Sequence, residues 1–170
     1  DKSVIALDYF LPAGVEIEEH FHDWIEFTLV VKGEQHIIVD DIKYILTDGD
    51  FIMVDYNEIH SSYTVKPTNK LTIQFKNGFV ENYIPEFDST KIYCNTSAIK
   101  DSFDHQTYLT IIELYCFMFR AFSKKSLNPD GDFYGFFHLF FYTVMKYCET
   151  ASEKEKQRVV QNIYIAQILS

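Results

Sequence analysis

The hydrophobic pattern of this sequence changes once, near residue 100, and this change limits the folds open to the chain. Residues 2–85 contain short runs rich in Val, Ile, Phe, Tyr and Thr, which recur about every ten residues and are broken by turn-forming pairs such as Asp48-Gly49. This rhythm is typical of antiparallel strands in a sandwich or barrel. Long helical periods do not separate the runs, which argues against a parallel α/β sheet.

From about residue 105 the period becomes helical. The run 107–122 is apolar on nearly every side, which predicts a helix covered on two faces. A second helix is predicted after the turn at 128–132, because apolar residues recur there at i, i+3 and i+4: Phe133, Phe136, Phe137, Phe140, Phe141, Val144, Met145 and Cys148. A third, more polar segment begins near Glu153. We therefore expect a mainly β region over 1–100 and a helical region over 101–170.

Charge and cysteine content restrict the partners and the compartment. The net charge is −10, and residues 1–60 hold three lysines against fourteen acidic residues. An acidic surface repels phosphate backbones and anionic lipid, so we expect this chain alone to bind neither nucleic acid nor membrane. The two most apolar stretches are shorter than the ~20 residues of a membrane span. Three widely spaced cysteines are typical of reduced thiols, which predicts a cytoplasmic protein.

One spacing pattern in the strand region carries chemical information. It has five fixed positions: Gly14, His20, His22, Glu26 and Gly33. On a strand, His20, His22, Trp24 and Glu26 share one face because their spacing is even. Two imidazoles and a carboxylate suit Fe(II), Mn(II), Zn(II) or Ni(II), and His60 is a further candidate donor. These residues could also contact an organic effector, or serve as structural positions that hydrogen-bond to one another.

The opposite row of the same segment is almost wholly apolar. It consists of Phe21, Ile25, Phe27, Leu29 and Val31. A row of this kind needs a cover, and the phenylalanine-rich helices are the available one. We therefore predict a strand with a polar inner face and an apolar outer face that packs against the helices.

These motifs resemble those of the cupin superfamily. Gly14–Gly33 matches the first cupin motif at every fixed position. The second motif is matched in part, by Gly49 and His60. The residues that depart from it are Asp55 for the usual proline, Asn57 for the usual glycine and Thr64 for the closing asparagine.

Among cupins, the chain most resembles the N-terminal effector-binding and dimerisation domain of AraC-family transcription regulators. Phrases such as His20–Glu26, Gly49–Ile52 and Asn57–Ser61 carry the resemblance, as does the order of a β-barrel and then two to three helices. It implies a double-stranded β-helix (jelly roll) that encloses a small effector. It also implies a helix-turn-helix domain after residue 170, through which alone the regulator contacts DNA.

The effector site follows from this resemblance. The residues expected to contact the effector are His20, His22, Trp24, Glu26, His60, Tyr9 and Tyr63. Aromatic, imidazole and carboxylate groups suit a neutral polyol, so carbohydrate is the expected ligand. We expect no enzymatic activity and no cofactor.

We also expect no stoichiometric metal, because the altered second motif lacks the residues that aim the fourth ligand. If a metal binds, its ligands are His20, His22, Glu26 and His60. The alternative function is therefore a metal-dependent cupin enzyme, either a dioxygenase or a sugar isomerase.

The helical region is expected to form a homodimer. The outer face of one barrel can bury only one side of the two helices, and the remaining apolar surface exceeds what a monomer usually exposes. A second copy about a two-fold axis is the simplest cover. The predicted dimerisation residues are Phe133, Phe137, Leu139, Phe140, Tyr142 and Val144.

Overall fold

A computed structural model describes residues 3–96, 104–125 and 127–169, with side chains as far as residue 149. The strands are β1 (Val4–Leu11), β2 (Glu16–His20), β3 (Trp24–Val39), β4 (Ile42–Thr47), β5 (Phe51–Val54) and β6 (His60–Lys76). They are followed by α1 (Phe79–Tyr83), a 3-10 turn (Ser89–Lys91), α2 (His105–Phe122) and α3 (Pro129–Leu169). The predicted class, mainly β with C-terminal helices, is confirmed.

All six strands belong to one antiparallel sheet. Its main path runs β1-β6-β3-β4, with β2 also paired to β6 and β5 also paired to β3. Among the described residues the sheet curls around a cavity without closing into a complete ring of paired strands. The expected barrel is therefore an open one.

The frame of the sheet is a long ribbon formed by β3 and β6, which pair from Trp24↔Lys76 to Val39↔His60. Three register irregularities interrupt the pairing between Val30 and Gln35, and bulges of this kind bend a strand. Gly33 lies at the bend with φ 121°, and a Cβ there would collide with the carbonyl oxygen of Pro67. The bend therefore requires glycine, and it folds one half of the ribbon over the other.

The helices cover the outer face of the ribbon, as the sequence predicts. Ile25, Phe27 and Leu29 are buried in one core with side chains from α2 and α3. The ring of Phe27 lies 5.3 Å from that of Phe140, centroid to centroid. The two ends of the predicted apolar row, Phe21 and Val31, are exposed instead. Phe21 lies between strands and Val31 lies at the bend, so neither reaches the helical layer.

The helical region differs from the prediction in one respect. Instead of a separate segment beginning near Glu153, α3 continues unbroken to Leu169, and residues 136–169 contain neither glycine nor proline to interrupt it. The predicted division at residues 100 and 101 falls within 97–103, outside the described residues. On either side of that gap, sheet and helices share a single core. Within the described part of the chain, no helix has the length and apolarity to span a membrane.

Candidate functional site

The bend of the ribbon creates a cavity of about 200 Å³ on the inner face of the sheet. One half of the ribbon contributes Glu26, Lys70, Thr72 and Gln74, and the other half contributes Ile37, His60 and Ser62. Strands β1, β2 and β5 complete the wall with Tyr9, His20 and Val54, among others. Because its volume lies below the roughly 300–1,000 Å³ of drug-sized sites, the cavity suits a small ligand.

Three imidazole rings meet at one end of this site. The ring centroids of His20 and His60 are 4.2 Å apart, and those of His22 and His60 are 4.8 Å apart. One nitrogen from each of the three rings lies within 4.8 Å of the others. The sequence prediction that these histidines converge is therefore correct.

The route by which they converge differs from the prediction, which placed His20, His22, Trp24 and Glu26 on one strand. In the structure β2 ends at His20 and β3 begins at Trp24. His22 lies in the connection, where its carbonyl accepts a hydrogen bond from the backbone N–H of Asn57. Pairing of β2 with β6 brings His20 opposite His60, so two strands and a connection build the cluster.

Backbone carbonyls fix the protonation of all three rings. Nδ1 of His20, His22 and His60 lies 2.8–3.0 Å from the carbonyl oxygens of Glu18, Trp24 and Glu58 respectively. A carbonyl oxygen can only accept a hydrogen bond, so each Nδ1 carries the proton. The Nε2 lone pair of each neutral ring is then free to act as a ligand, as in histidine metal sites.

Glu26 lies beside the imidazoles as an ionised carboxylate. It accepts hydrogen bonds from Thr28 Oγ1 at 2.9 Å and from Gln74 Nε2 at 2.7 Å. Burial raises its pKa, but His22, Lys70, Gln74 and Thr28 stabilise the charged form more strongly and lower the pKa to about 2. The site therefore holds a fixed negative charge at neutral pH.

When the imidazole of His22 is neutral, its Nε2 and the carboxylate of Glu26 are both acceptors, so no proton joins them. His22 Nε2 is buried without a hydrogen-bond partner, 3.6 Å from Glu26 Oε2. The neighbouring carboxylate of Glu26 raises the pKa of His22, whereas burial lowers the pKa of His60. A proton on His22 or a cation among the four side chains would resolve this pairing of two acceptors. The three imidazole nitrogens, which lie within 4.8 Å of one another, fit a divalent transition metal, and the carboxylate of Glu26 lies beside His22.

The altered second motif still positions its histidine. Asn57 replaces the usual glycine and adopts φ 59°, a left-handed conformation that asparagine tolerates better than most residues. Glu58 accepts a hydrogen bond from the backbone N–H of Asp55 at 2.7 Å, which further defines the turn. The turn is therefore retained. The altered second motif thus gives no argument against a metal at this site.

Of the remaining predicted effector contacts, one lines the cavity and two do not. Tyr9 lines the cavity, whereas Trp24 and Tyr63 do not. Trp24 is the first residue of β3 and lies beyond the cavity, while Tyr63 lies between two inward-facing residues of β6 and is 47% exposed. These two residues are therefore corrected to positions outside the cavity.

The sequence analysis missed Lys70, Thr72 and Gln74. They alternate along β6 with Leu71 and Ile73, and they pair across the ribbon with Val30, Thr28 and Glu26 respectively. The polar-apolar alternation of residues 70–75 could have identified them, because it places all three on the face of Glu26.

The predicted dimerisation residues also divide. Phe133, Phe137, Phe140 and Val144 are buried within this chain, where they complete the core against the sheet. Leu139 and Tyr142 are 56% and 48% exposed, and they line a groove between α2 and α3. Of the six predicted residues, only these two are therefore exposed for contact with a second copy.

Comparison with known proteins supports the architecture of the sheet. Residues 8–69 match the family described as "Cupin domain". A search of curated proteins finds no match.

Solved structures similar to this chain include a conserved protein of unknown function, SPY1581, from Streptococcus pyogenes. It is 21% identical with a TM-score of 0.44, and the alignment covers 45% of this chain and 67% of that one. An RmlC-like cupin from Shewanella frigidimarina is 23% identical with a TM-score of 0.42, covering 45% and 69%. A variant of oxalate decarboxylase from Bacillus subtilis is 16% identical with a TM-score of 0.41, covering 52% and 27%.

The family match spans the strands and turns that carry His20, His22, Glu26 and His60. The helical region lies outside it. Residues 8–69 of the sheet are thus similar to a cupin domain, and a C-terminal helical layer packs against the sheet.

Proposed function

We propose that this chain is the effector-binding and dimerisation part of an AraC-family transcription regulator. The observation that carries the proposal is a buried link between the cavity wall and the helices. On α2, the hydroxyl of Tyr115 lies 2.9 Å from the carbonyl oxygens of both Phe27 and Leu71, and its single proton is shared between these two acceptors. The residues next to these two, Glu26 and Thr72, line the cavity.

This link gives a physical route for a signal. A ligand that binds to Glu26 and Thr72 acts on β3 and β6 at the residues adjacent to the two acceptors of Tyr115. A change in the relative position of the two strands alters that hydrogen bond, and with it the seating of α2. Ligand binding is then coupled to the helices through different contacts in the two states, as allostery requires.

The helical layer supplies the dimer contact in this proposal. Leu139, Tyr142 and Tyr147 expose apolar surface on α3, beside Thr110 of α2. Packing of this groove against its copy about a two-fold axis would bury that surface. The same contact would set the spacing of the two DNA-binding modules that a regulator of this type carries.

The test joins this chain to a DNA-binding module that binds its operator only as a dimer, with a reporter gene as readout. We expect the fusion to occupy the operator, and Leu139→Glu with Tyr142→Glu to abolish occupancy. Ile45→Glu is the matched control, because Ile45 is a similarly exposed apolar residue on β4. Light scattering on the unfused chain should give the dimer mass, and the monomer mass for the double variant. A monomeric wild type would refute the dimerisation role.

A metal-dependent cupin enzyme is the second candidate, and the convergence of one ring nitrogen from each of the three histidines, with Glu26 beside His22, favours it. An ion held by His20, His22, His60 and Glu26 would supply a Lewis acid for a bound substrate. The two candidates respond differently to Leu139→Glu and Tyr142→Glu. These changes should eliminate regulation by a sensor but leave the chemistry of a metal centre intact.

A further inference from the structure

Lys70 is a buried cation in the wall of the cavity. It is only 6% exposed, and its ammonium lies 5.5 Å from the ring centroid of Tyr9, which lines the same cavity. Among the described residues, no side chain accepts a hydrogen bond from Lys70 or lies within salt-bridge distance of it. Its nearest compensation is the longer-range field of Glu26.

An ammonium in this state lacks its usual partners. A lysine carries three N–H donors, and burying a charge is costly unless it is paired and hydrogen-bonded. Burial accordingly lowers the pKa of Lys70, against the opposing influence of Glu26. Glu26 accepts hydrogen bonds from Thr28 and Gln74 but, among the described residues, none from Lys70.

The position of Lys70 separates it from the imidazole cluster. It pairs with Val30, next to the bend, whereas Gln74, four residues further along β6, pairs with Glu26. At about 3.3 Å per residue, this separation is roughly 13 Å between backbone positions. Ser62, Thr72 and Gln74 supply neutral hydrogen-bonding groups along the same cavity.

We propose that the cavity binds a small hydroxy acid, whose carboxylate pairs with Lys70 and whose hydroxyl groups reach toward Thr72, Gln74 and the histidines. The proposal rests on the ligand-binding function proposed above and names the class of its ligand. It replaces the neutral polyol expected from the sequence with an acid, such as a sugar acid. A carboxylate supplies the acceptors that Lys70 lacks, and charge-assisted hydrogen bonds of this type are the strong ones.

The experiment compares acids with neutral partners of the same carbon skeleton. D-gluconate is matched with D-sorbitol, and D-glucuronate with D-glucose, at equal ionic strength, with binding measured by calorimetry. We expect at least one acid to bind more tightly than its partner. Lys70→Met should weaken binding of that acid roughly tenfold or more and leave the affinity for the neutral compound unchanged.

Lys66→Met is the matched control, because Lys66 lies on the same strand but is exposed and pairs with Glu34 outside the cavity. Because the Lys70 variant could misfold, a second measurement uses the wild-type chain and nuclear magnetic resonance. With ¹⁵N-labelled lysine, the acid should shift the ammonium resonance of Lys70 more than that of any other lysine.

Two results would overturn the proposal. One is that neither acid binds more tightly than its neutral partner. The other is that Lys70→Met and Lys66→Met weaken acid binding equally, with no selective shift of the Lys70 resonance. Either result would leave the regulator proposal unaffected, because dimerisation through α2 and α3 does not depend on the charge of the ligand.

Discussion

The two faces of the β3–β6 ribbon are built from alternating residues of the same strands, yet they have opposite chemistry. The outer face presents Ile25, Phe27 and Ile73 to the helices, and all three are fully buried in the apolar core. The inner face presents Glu26, Thr28, Thr72 and Gln74 to the cavity, joined by hydrogen bonds. Each polar residue of the inner face is therefore adjacent in sequence to an apolar residue that packs in the core.

This comparison shows how a small chain can hold a charged site without losing stability. The outer face gains free energy by burial of aromatic rings. On the inner face, these four polar side chains are hydrogen-bonded to one another, which limits the penalty of burying them. The apolar core and the polar cavity thus lie on different sides of one ribbon, and substitutions can test that division.

Phe27→Ala should produce the largest loss of stability, because the ring of Phe27 packs against those of Phe51, Phe140 and Phe141. We expect a loss of roughly 3–5 kcal/mol, measured by urea denaturation. Thr28→Val, at the next position on the inner face, should cost less, at about 1 kcal/mol for each lost hydrogen bond. Equal losses from the two variants would refute the division between the faces.

Protonation of Glu26 should give the next largest effect. Its pKa is lowered to about 2 in the folded chain from an ordinary value of 4.5. The ionised group therefore stabilises the fold above about pH 4.5, and that stabilisation, roughly 3 kcal/mol, is lost as the pH falls toward 2. Glu26→Gln should flatten this part of the pH profile of unfolding free energy.

Glu34→Gln is the control for this experiment, since the carboxylate of Glu34 pairs with exposed Lys66. This variant should retain most of the acid sensitivity of the wild type. A profile that Glu34→Gln flattens more than Glu26→Gln would contradict the assignment.

Removal of one imidazole should weaken metal binding. We expect His60→Ala to lower the affinity of the chain for Co²⁺ by at least the roughly 10–100-fold that follows loss of an outer-shell partner, measured by absorption spectroscopy. His36→Ala should have no such effect, because His36 pairs with Glu34 away from the cluster. If both variants bind Co²⁺ as the wild type does, the cluster is a hydrogen-bonded structural element.

Tyr115→Phe should cost the least stability, about 1 kcal/mol for the lost hydrogen bond, yet it should disconnect the two faces. With Co²⁺ as the probe, binding should change hydrogen exchange in α2 of the wild type but not of this variant. Tyr108→Phe removes a hydroxyl that donates to the carbonyl of Gly49, on the same helix but away from the cavity. That control should transmit the change as the wild type does.

Periodicity predicted the outer face better than the inner one. Ile25, Phe27 and Leu29 alternate along β3, and this alternation predicts the buried face of the strand. The helical spacing of the phenylalanines predicts the buried face of α3 in the same way. The convergence of His20, His22 and His60 was predictable from the motif. Their arrangement on two strands and a connection was not, because it depends on pairing between residues 40 positions apart.

Lys70 shows the limit most clearly. A single lysine on a strand is ordinarily exposed, and its burial follows from the bend at Gly33, which folds distant parts of the ribbon together. The inward position of Phe133 likewise reflects its packing partners. Local sequence does not identify such partners.

The bend at Gly33 also has a consequence for how the protein folds. The cavity beside this bend depends on contacts that are distant in sequence, such as the pairing of Gln74 with Glu26, 48 residues earlier in the chain. Closing such loops is slow relative to local helix formation. In refolding experiments, helical signal should therefore appear first, and competence to bind Co²⁺ should appear only in the final phase. We therefore expect binding of Co²⁺ to require the completed sheet rather than a smaller segment of it.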